Sequence, residues 1–384
     1  MKSVLLLLGT IGFSYMLNQI LLRFSKNFGV ESRQGQNLVR WASTSKPTTG
    51  GFSFYITFLV GSLILLLLRP GVSLQSDPFL GLFLSATLAF MIGFADDAYG
   101  THPGLKFLGQ VICGVILIGF GISIKYFSLI NPNLWLLDYA LTVFWVVGLM
   151  NSLNMLDNMD GVTTTIATTI CLVAMMMVIA TSNVGMPDMF YVLIVIIGGY
   201  VGFLFWNWRP AKVYMGDTGS MFVGLVAAFF GITYFWNLNP SPDNISLSRI
   251  AVIPIMVFLV PIMDTTFVTI ARLKRGSSPF VGGSDHLTHN LVRVGLAEEM
   301  VPVTLGIVSI ISGMLAIFAY KLTPEWRSFY SWLFGAYPII VMSLFAFLYI
   351  KGTRIGKMRE KLAEQEKQQA AATPPAEPMT SLAN

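Results

Sequence analysis

Apolar residues occur along this chain in long runs, and shorter polar segments separate the runs. A helix of about 20 apolar residues crosses the hydrocarbon core of a bilayer. Because that core holds no water, only helices and closed barrels satisfy their own backbone hydrogen bonds there. The pattern therefore predicts an all-α fold, a polytopic membrane helix bundle of about 11 transmembrane helices, with spans at residues 3–23, 50–68, 78–95, 106–124, 134–151, 161–182, 188–206, 219–237, 249–270, 301–320 and 330–350.

Composition agrees with this architecture and excludes a soluble globular domain. Of the 384 residues, 54% are hydrophobic and 11% are charged, whereas soluble domains contain about 25% charged residues. We expect one transmembrane domain over residues 1–350 and a charged, partly disordered tail over residues 351–384. Cys113 and Cys171 both lie inside apolar runs, so we interpret them as small core residues.

Basic residues are concentrated in alternate connections of the predicted topology. The connections after the odd-numbered spans and the tail hold most of the lysines and arginines. The other connections hold only Lys2, Arg69, Lys125, Arg249, Lys321 and Arg327. Cytoplasmic loops carry the excess of basic residues in membrane proteins. The bias therefore predicts that the N-terminus lies outside and the C-terminus in the cytoplasm.

Clustered carboxylates and histidines share the same predicted face. They end or follow the third, fifth, seventh and ninth spans: Asp96, Asp97, Asp157, Asp160, Asp217, Asp285, His286 and His289. The outer connections hold only isolated carboxylates such as Asp138 and Asp188. Ionisable groups beside membrane segments are costly and are candidates for function. We therefore expect a polar site at the cytoplasmic face.

Three segments offer oxygen ligands or anion-binding groups. The segment N-S-L-N-M-L-D-N-M-D-G at 151–161 places Asp157 and Asp160 three residues apart, on one face if it is helical. The adjacent Asp96 and Asp97 repel one another, which favours a bound cation or a general base. In M-G-D-T-G-S at 215–220, glycines and hydroxyls beside Asp217 suit a ligand. The alternatives are a polar turn, a solvated helix end and a helix cap.

Basic groups on the same face point to phosphate. Arg272, His286 and His289 lie in the basic segment 272–293, and Lys46 stands before a Gly-Gly pair. Magnesium prefers a few carboxylates together with substrate phosphates. A zinc-binding histidine pair and simple topology charges are the alternatives. Taken together, the groups suit transfer between a nucleotide and a membrane-borne phosphate.

These motifs resemble those of the polyprenyl-phosphate N-acetylhexosamine-1-phosphate transferase superfamily. The resemblance is carried by D-D-x-x-G at 96–100, N-x-x-N-x-x-D-x-x-D-G at 151–161 and N-x-x-P-A-K-V-Y-M-G-D-T-G-S at 207–220. P-I-M-D at 261–264, S-P-F, D-H-x-x-H and an eleventh span are similar to the branch that uses UDP-GlcNAc and undecaprenyl phosphate. Two positions differ from the pattern: Asn158 replaces the usual Gly, and Asn290 stands where this branch often has Arg.

The resemblance implies a bacterial inner-membrane enzyme that transfers GlcNAc-1-phosphate from UDP-GlcNAc to undecaprenyl phosphate and releases UMP. It implies Mg²⁺ as cofactor, with Mn²⁺ as a substitute, and a UDP-sugar, a polyprenyl phosphate and the membrane as partners. Nucleic acid is not expected, and a homodimer is left open. The product would start a lipid-linked cell-envelope glycan such as lipopolysaccharide.

The resemblance also assigns roles to residues of this chain. Asp217, Asn154 and Asp97 are expected to hold the metal, and Asp96 and Asp97 either bind it or act as the base. Asp157 and Asp160 are expected to organise the nucleotide and the metal. The expected substrate-binding residues are Lys46, Asn154, Asn207, Tyr214, Arg272, His286 and His289.

Two other functions stay open at this stage. One is the phospho-N-acetylmuramoyl-pentapeptide transferase activity, which belongs to the same superfamily. The other is a multi-span transporter, whose decisive polar groups lie near the bilayer midplane. Asp264 is the one candidate that falls well inside a predicted span.

Overall fold

The computed structural model describes residues 1–28, 46–68, 77–181, 188–237, 246–278, 283, 285–322 and 326–372. All the predicted site residues fall within these ranges. Part of the predicted disordered tail, residues 373–384, lies outside them.

The described part of the chain folds into α-helices without any β-strand, so the predicted all-α fold is confirmed. Every predicted span coincides with at least one helix. We number the helices α1 to α13, and their bounds are Lys2–Phe28, Gly50–Leu68, Pro78–Tyr99, Pro103–Gly119, Trp135–Leu156, Val162–Thr181, Asp188–Asn207, Gly216–Gly231, Leu247–Val257, Leu259–Lys274, Leu287–Val294, Met300–Leu322 and Ser328–Ala372.

Most of these helices are long and apolar enough to cross a membrane. Within the described ranges, nine meet that criterion singly, and α4 is a shorter apolar helix of 17 residues. The last helix, α13, continues beyond its apolar part into the charged tail as far as Ala372. This part of the tail is therefore helical.

The ninth predicted span is broken into two helices. α9 and α10 meet at an angle of 80°, and Phe258 between them departs from α-helical geometry, with φ of −98° and ψ of 21°. Pro261 explains the position of the break. A proline lacks the N–H that would bond to the carbonyl four residues earlier, and its ring clashes with that carbonyl, here the one of Val257. The two helices together account for the tenth segment that can enter the membrane.

The centre of the bundle is α8. Every residue from Thr218 to Gly231 is buried, and α8 packs against α2, α3, α5 and α6. α3 approaches its first turn closely because Gly93 has no side chain: a Cβ there would lie 2.2 Å from the backbone oxygen of Asp217. This contact brings the end of α3 and the start of α8 together.

Asp138, in the first turn of α5, anchors the connection between α4 and α5. Its side chain is buried and accepts hydrogen bonds from the backbone N–H groups of Tyr126, Phe127 and Ser128, at 3.0, 2.6 and 3.1 Å. A carboxylate that accepts several backbone hydrogen bonds compensates for its own burial. The sequence had indicated only an isolated carboxylate in an outer connection.

We predict that Asp138→Ala lowers the free energy of unfolding by about 1–3 kcal/mol, because it leaves three partly buried N–H groups without their acceptor. Thermal unfolding of the purified protein in detergent measures the change. Asp188→Ala is the matched control, since Asp188 is an exposed carboxylate in the first turn of α7. Equal melting temperatures for the two variants would contradict this role for Asp138.

Candidate active site

Asp97 caps the buried helix α8. Its Oδ1 accepts a hydrogen bond from the backbone N–H of Asp217 at 3.0 Å. Its Oδ2 accepts from the backbone N–H and the hydroxyl of Thr218, at 2.8 and 2.6 Å. The first N–H groups of a helix have no partner within the helix and carry a partial positive charge. The carboxylate of α3 therefore satisfies the start of α8 and orients Asp217.

Asp96 and Asp217 meet at one cationic group, the ammonium of Lys106. Lys106 Nζ lies 2.8 Å from Asp96 Oδ2 and 2.9 Å from Asp217 Oδ2. Thr101 also donates to Asp96, through both its backbone N–H and its hydroxyl. We call Asp96, Lys106 and Asp217 the carboxylate cluster. It joins the end of α3, the first turn of α4 and the first turn of α8.

An amide on α5 fixes the other side of Asp217. Asn154 Nδ2 donates to Asp217 Oδ1 and to Ser220 Oγ. One turn earlier, Asn151 donates to Oε1 of the buried Gln110 at 2.7 Å. Gln110 lies one turn after Lys106 on α4, so this amide pair aligns Lys106 and Asn154 on Asp217. Because the two residues on α4 are one turn apart, as are the two on α5, the amide pair fixes the geometry of the cluster.

The turn after α5 is held by structural contacts. Asp157 ends α5, and Asp160 Oδ2 accepts from the backbone N–H of Ala211 at 2.9 Å. Gly161, with φ of 74°, donates its N–H to Asn207 Oδ1 at 3.1 Å. Asn207 is buried, and its Nδ2 donates to the carbonyl of Val213. Asp160 and Asn207 thus tie this turn to the segment that leads into α8.

Lys46 and Tyr214 are brought together beside the start of α8. Lys46 Nζ lies 5.2 Å from the centre of the Tyr214 ring, and the Tyr214 N–H donates to the carbonyl of Pro47 at 2.9 Å. The Tyr214 carbonyl in turn accepts from Gly50. The two predicted binding residues therefore form one cationic and aromatic surface, three residues from Asp217.

A second group of polar side chains surrounds residues 285–290, which we call the histidine segment. Asp264 is fully buried on α10, and its carboxylate contacts His286 Nδ1 at 3.0 Å and the backbone N–H of Leu287 at 2.8 Å. Arg272 makes a two-point ion pair with Asp285, at 3.1 and 2.8 Å. Asp264 thus lies where the histidine segment begins, and it positions His286.

Charge and burial shift the protonation of two groups in this segment. Burial alone would raise the pKa of Asp285, but hydrogen bonds from Arg272 and Arg275 and the charges of Arg272 and His286 lower it to about 2. Burial, together with the neighbouring His286 and Arg293, lowers the pKa of His289 from 6.5 to about 4. Asp285 is therefore ionised and His289 is neutral at pH 7.

The turn after α5 connects to the histidine segment. The Thr288 hydroxyl donates to Asn158 Oδ1, and Asn158 Nδ2 donates to the carbonyl of Met155. Nearby, the Thr265 hydroxyl on α10 donates to Ser152 on α5 at 2.7 Å. Asn158, one of the two departures from the family pattern, is thus a direct contact between the two groups of predicted site residues.

The donor set of the carboxylate cluster suits a magnesium ion. Two carboxylate oxygens from different helices converge on a bound positive charge, the Lys106 ammonium, which marks a point where the fold holds a cation. Magnesium is typically held by one or two carboxylates together with water and substrate phosphates. Within the described ranges, no group of three or more His, Cys, Asp or Glu side chains has the geometry of a metal site, so a closed zinc site is not formed there.

The sequence pattern does not single out two contributors to this site, Lys106 and Gln110. The signal that could have identified them is a lysine and a glutamine four residues apart at the start of an apolar helix, just after the D-D pair. Asp264 had stood out, because a carboxylate inside a span needs a partner.

We predict that acidification destabilises the protein through His289. The unfolded chain protonates this histidine near pH 6.5, whereas the folded chain does so near pH 4. Its contribution to stability is therefore complete above the unfolded value and is lost as the pH falls towards 4. At pH 5, wild type should lose about 2 kcal/mol more than His289→Gln, relative to pH 7.5. Urea unfolding at the two pH values measures the difference.

The control for this experiment is His102→Gln, which replaces an exposed histidine at the start of α4. Its loss of stability on acidification should match that of wild type. A pH response of His289→Gln that equals that of wild type would exclude His289 as the cause.

The sequence of this chain is similar to those of known proteins. The family model for glycosyl transferase family 4 matches residues 79–235. A probable undecaprenyl-phosphate N-acetylglucosaminyl 1-phosphate transferase of Bacillus subtilis is 28% identical over 319 residues, 82% of each chain. A decaprenyl-phosphate N-acetylglucosaminephosphotransferase of Mycobacterium tuberculosis is 26% identical over 67% of this chain and 68% of its own.

A phospho-N-acetylmuramoyl-pentapeptide-transferase of Staphylococcus aureus is also similar, at 28% identity over 76% of this chain and 90% of its own. The family match spans the carboxylate cluster, the turn after α5 and α8. These similarities agree with the motifs at 96–100, 151–161 and 207–220. Residues 79–235 thus match the model of glycosyl transferase family 4, and the chain is similar to transferases of N-acetylglucosamine phosphate and of phospho-N-acetylmuramoyl-pentapeptide.

Proposed function

We propose that this protein transfers GlcNAc-1-phosphate from UDP-GlcNAc to undecaprenyl phosphate and releases UMP. The observation that carries the proposal is the carboxylate cluster, in which Asp96 and Asp217 of two helices hold one positive charge at the end of an apolar bundle. A pyrophosphate donor and a lipid phosphate are both anions, so their reaction needs bound cations at such a place. The match to the glycosyl transferase family 4 model and the named relatives support the same chemistry.

In the proposed reaction, an oxygen of the lipid phosphate forms a bond to the β-phosphorus of the UDP-sugar. The bond between that phosphorus and the bridging oxygen breaks, and UMP leaves with the bridging oxygen. One pyrophosphate linkage replaces another, and the attacking phosphate already carries negative charge. Catalysis therefore depends mainly on orientation and on charge neutralisation.

In this proposal, the carboxylate cluster holds the positive charge that neutralises the substrate phosphates. Asp217 and Asp96 would hold Mg²⁺, and a bound Mg²⁺ neutralises negative charge on the phosphates. Asn154 fixes the orientation of Asp217 through its side-chain amide. Lys106 offers an ammonium between the two carboxylates, at hydrogen-bonding distance from each. Asp97 keeps Asp217 in place by capping α8, so the sequence expectation that Asp97 binds the metal gives way to a positioning role in this proposal.

The donor contacts two surfaces in this proposal. The Tyr214 ring and the Lys46 ammonium suit a uracil base and a phosphate. His289 suits the sugar-phosphate, because its neutral imidazole donates one hydrogen bond and accepts another, and His286 lies beside it. Arg272 acts through Asp285, which its two-point ion pair holds next to His286. Asp157 and Asp160 shape the turn between these surfaces.

The sugar and the cellular setting follow from the same reasoning. Two relatives that are named as transferases of N-acetylglucosamine phosphate favour GlcNAc, while the similarity to the Staphylococcus aureus protein makes UDP-N-acetylmuramoyl-pentapeptide the competing donor. The basic bias of the connections supports a bacterial inner-membrane protein whose site faces the cytoplasm, where sugar nucleotides are made.

A donor panel tests the proposal directly. Purified protein with undecaprenyl phosphate and Mg²⁺ should release UMP from UDP-GlcNAc at least about 100-fold faster than from UDP-N-acetylmuramoyl-pentapeptide, because the two donors differ in bulk at the sugar. Chelation of the metal should stop the release, and Mn²⁺ should restore part of it. Preference for the muramoyl donor would reassign the activity within the family, and no UMP from any donor would favour a transporter.

Substitutions in the carboxylate cluster test its role. We expect Asp217→Asn and Lys106→Met each to lower kcat for UMP release by about 100-fold or more, because each removes a charge that the reaction uses. Asp77→Asn is the control, since Asp77 caps the start of α3 at the other end of that helix. Parental rates in Asp217→Asn would refute this assignment, provided that the control keeps its activity.

A further inference from the structure

The charged continuation of α13 packs against the helix that follows the histidine segment, α11. Two glycines of α13, Gly352 and Gly356, form the contact. A Cβ at Gly352 would lie 2.4 Å from the backbone oxygen of Asn290, and one at Gly356 would lie 3.0 Å from Arg293 Nε. Small residues four apart allow two helices to approach closely. The glycines therefore set the separation of α11 and α13.

Two hydrogen bonds from the same face of α13 orient it relative to the histidine segment. The Tyr349 hydroxyl donates to the backbone oxygen of Asp285 at 2.7 Å, and the Thr353 hydroxyl donates to Asn290 Oδ1 at 3.2 Å. Tyr349, Thr353 and Gly356 recur at the spacing of one helix face. Tyr349 is buried, although it stands near the end of the apolar part of α13.

These contacts bracket the two histidines. Asp285 immediately precedes His286, and Asn290 immediately follows His289. Asn290 is fully buried, and its Nδ2 donates back to the carbonyl of His286 at 3.0 Å. α13 thus touches the segment just before the first histidine and just after the second, and the side chain of Asn290 links the two ends.

The other side of the segment is fixed by different helices. Asp264 of α10 contacts His286 and the N–H of Leu287, and Asn158 after α5 contacts Thr288. The contacts from α13 therefore add to those from α10 and from the turn after α5. Asn290 has a short side chain that fits against Gly352, and it is one of the two positions that differ from the pattern of the resembled family.

We propose that α13 is a positioning helix of the site, and that its glycine face sets the place of His286 and His289 relative to the sugar-phosphate of the donor. Gly352, Gly356 and Tyr349 are positioning residues, since they act through α11 and the histidine segment. The inference rests on the proposed function, in which the two histidines bind the donor. It assigns a role to a stretch that the sequence had indicated only as a charged tail.

A graded series of glycine substitutions tests this proposal. Alanine raises helix propensity at every position, so helix formation does not limit any of the variants. Gly352→Ala places its methyl group against backbone, Gly356→Ala meets only the movable side chain of Arg293, and Gly335→Ala meets nothing within 4 Å. Gly335 lies on the same helix and is the matched control.

We expect Gly352→Ala to raise the KM for UDP-GlcNAc by about tenfold or more, since small displacements of binding groups cost large factors. Gly356→Ala should have a smaller effect, and Gly335→Ala should have none. The KM for undecaprenyl phosphate should stay constant across the series. Hydrogen exchange of the α11 amides should accelerate in the same order.

The outcomes separate this inference from the proposed function. If wild type is active and Gly352→Ala keeps both its donor KM and its α11 exchange, the positioning role is refuted and the function stands. If α11 exchange accelerates while the donor KM stays at the wild-type value, the histidine segment does not bind the donor and the inference is equally refuted. A wild type that releases no UMP from any donor fails the proposed function itself.

Tyr349→Phe provides a second, milder variant that keeps the ring and removes one hydrogen bond. It should raise the donor KM by about two- to fivefold, because it loses a single neutral hydrogen bond to the backbone of Asp285. Thermal unfolding of each variant shows whether the bundle is intact. A change in melting temperature without a change in donor KM would indicate a structural contact only.

Discussion

The start of α8 is the constraint on which the rest of this structure depends. α8 is buried from Thr218 onwards, and the N–H groups of its first turn have no partner within the helix and need an acceptor. Asp97 provides one from the end of α3. That requirement brings the third and eighth helices together at one end, and Asp96 and Asp217 meet as a result. The polar site is thus a product of the way in which the core helix is capped.

The helices and the grouping of polar residues could largely be predicted from the sequence. Apolar runs of spanning length predict helices well because the bilayer imposes a length and an internally satisfied backbone. Spacing and charge bias also indicated that Asp96, Asp157 and Asp217 share a face, and the described contacts bring Asp96 and Asp217 together. These features depend on local composition.

What depends on side-chain direction could not be predicted. Adjacent carboxylates such as Asp96 and Asp97 look equivalent in the sequence, yet one faces Lys106 and the other caps a helix, because neighbouring helical residues point about 100° apart. The structural role of Asn207 could not be predicted for the same reason, because the sequence does not show that its amide faces the protein interior. The angle between α9 and α10 could not be predicted either. The apolar run 249–270 contains Pro254 and Pro261, and such a run is compatible with both a kinked span and a broken one.

That angle at Phe258 has a consequence for the reach of the site. Asp264 lies six residues further along α10, which corresponds to about 9 Å of helix. If the two helices were collinear instead of meeting at 80°, simple trigonometry would place Asp264 roughly 12 Å from its present position. No hydrogen bond to His286 survives such a displacement. Pro261 has no polar side chain, yet the break that it causes determines whether the Asp264 carboxylate reaches His286.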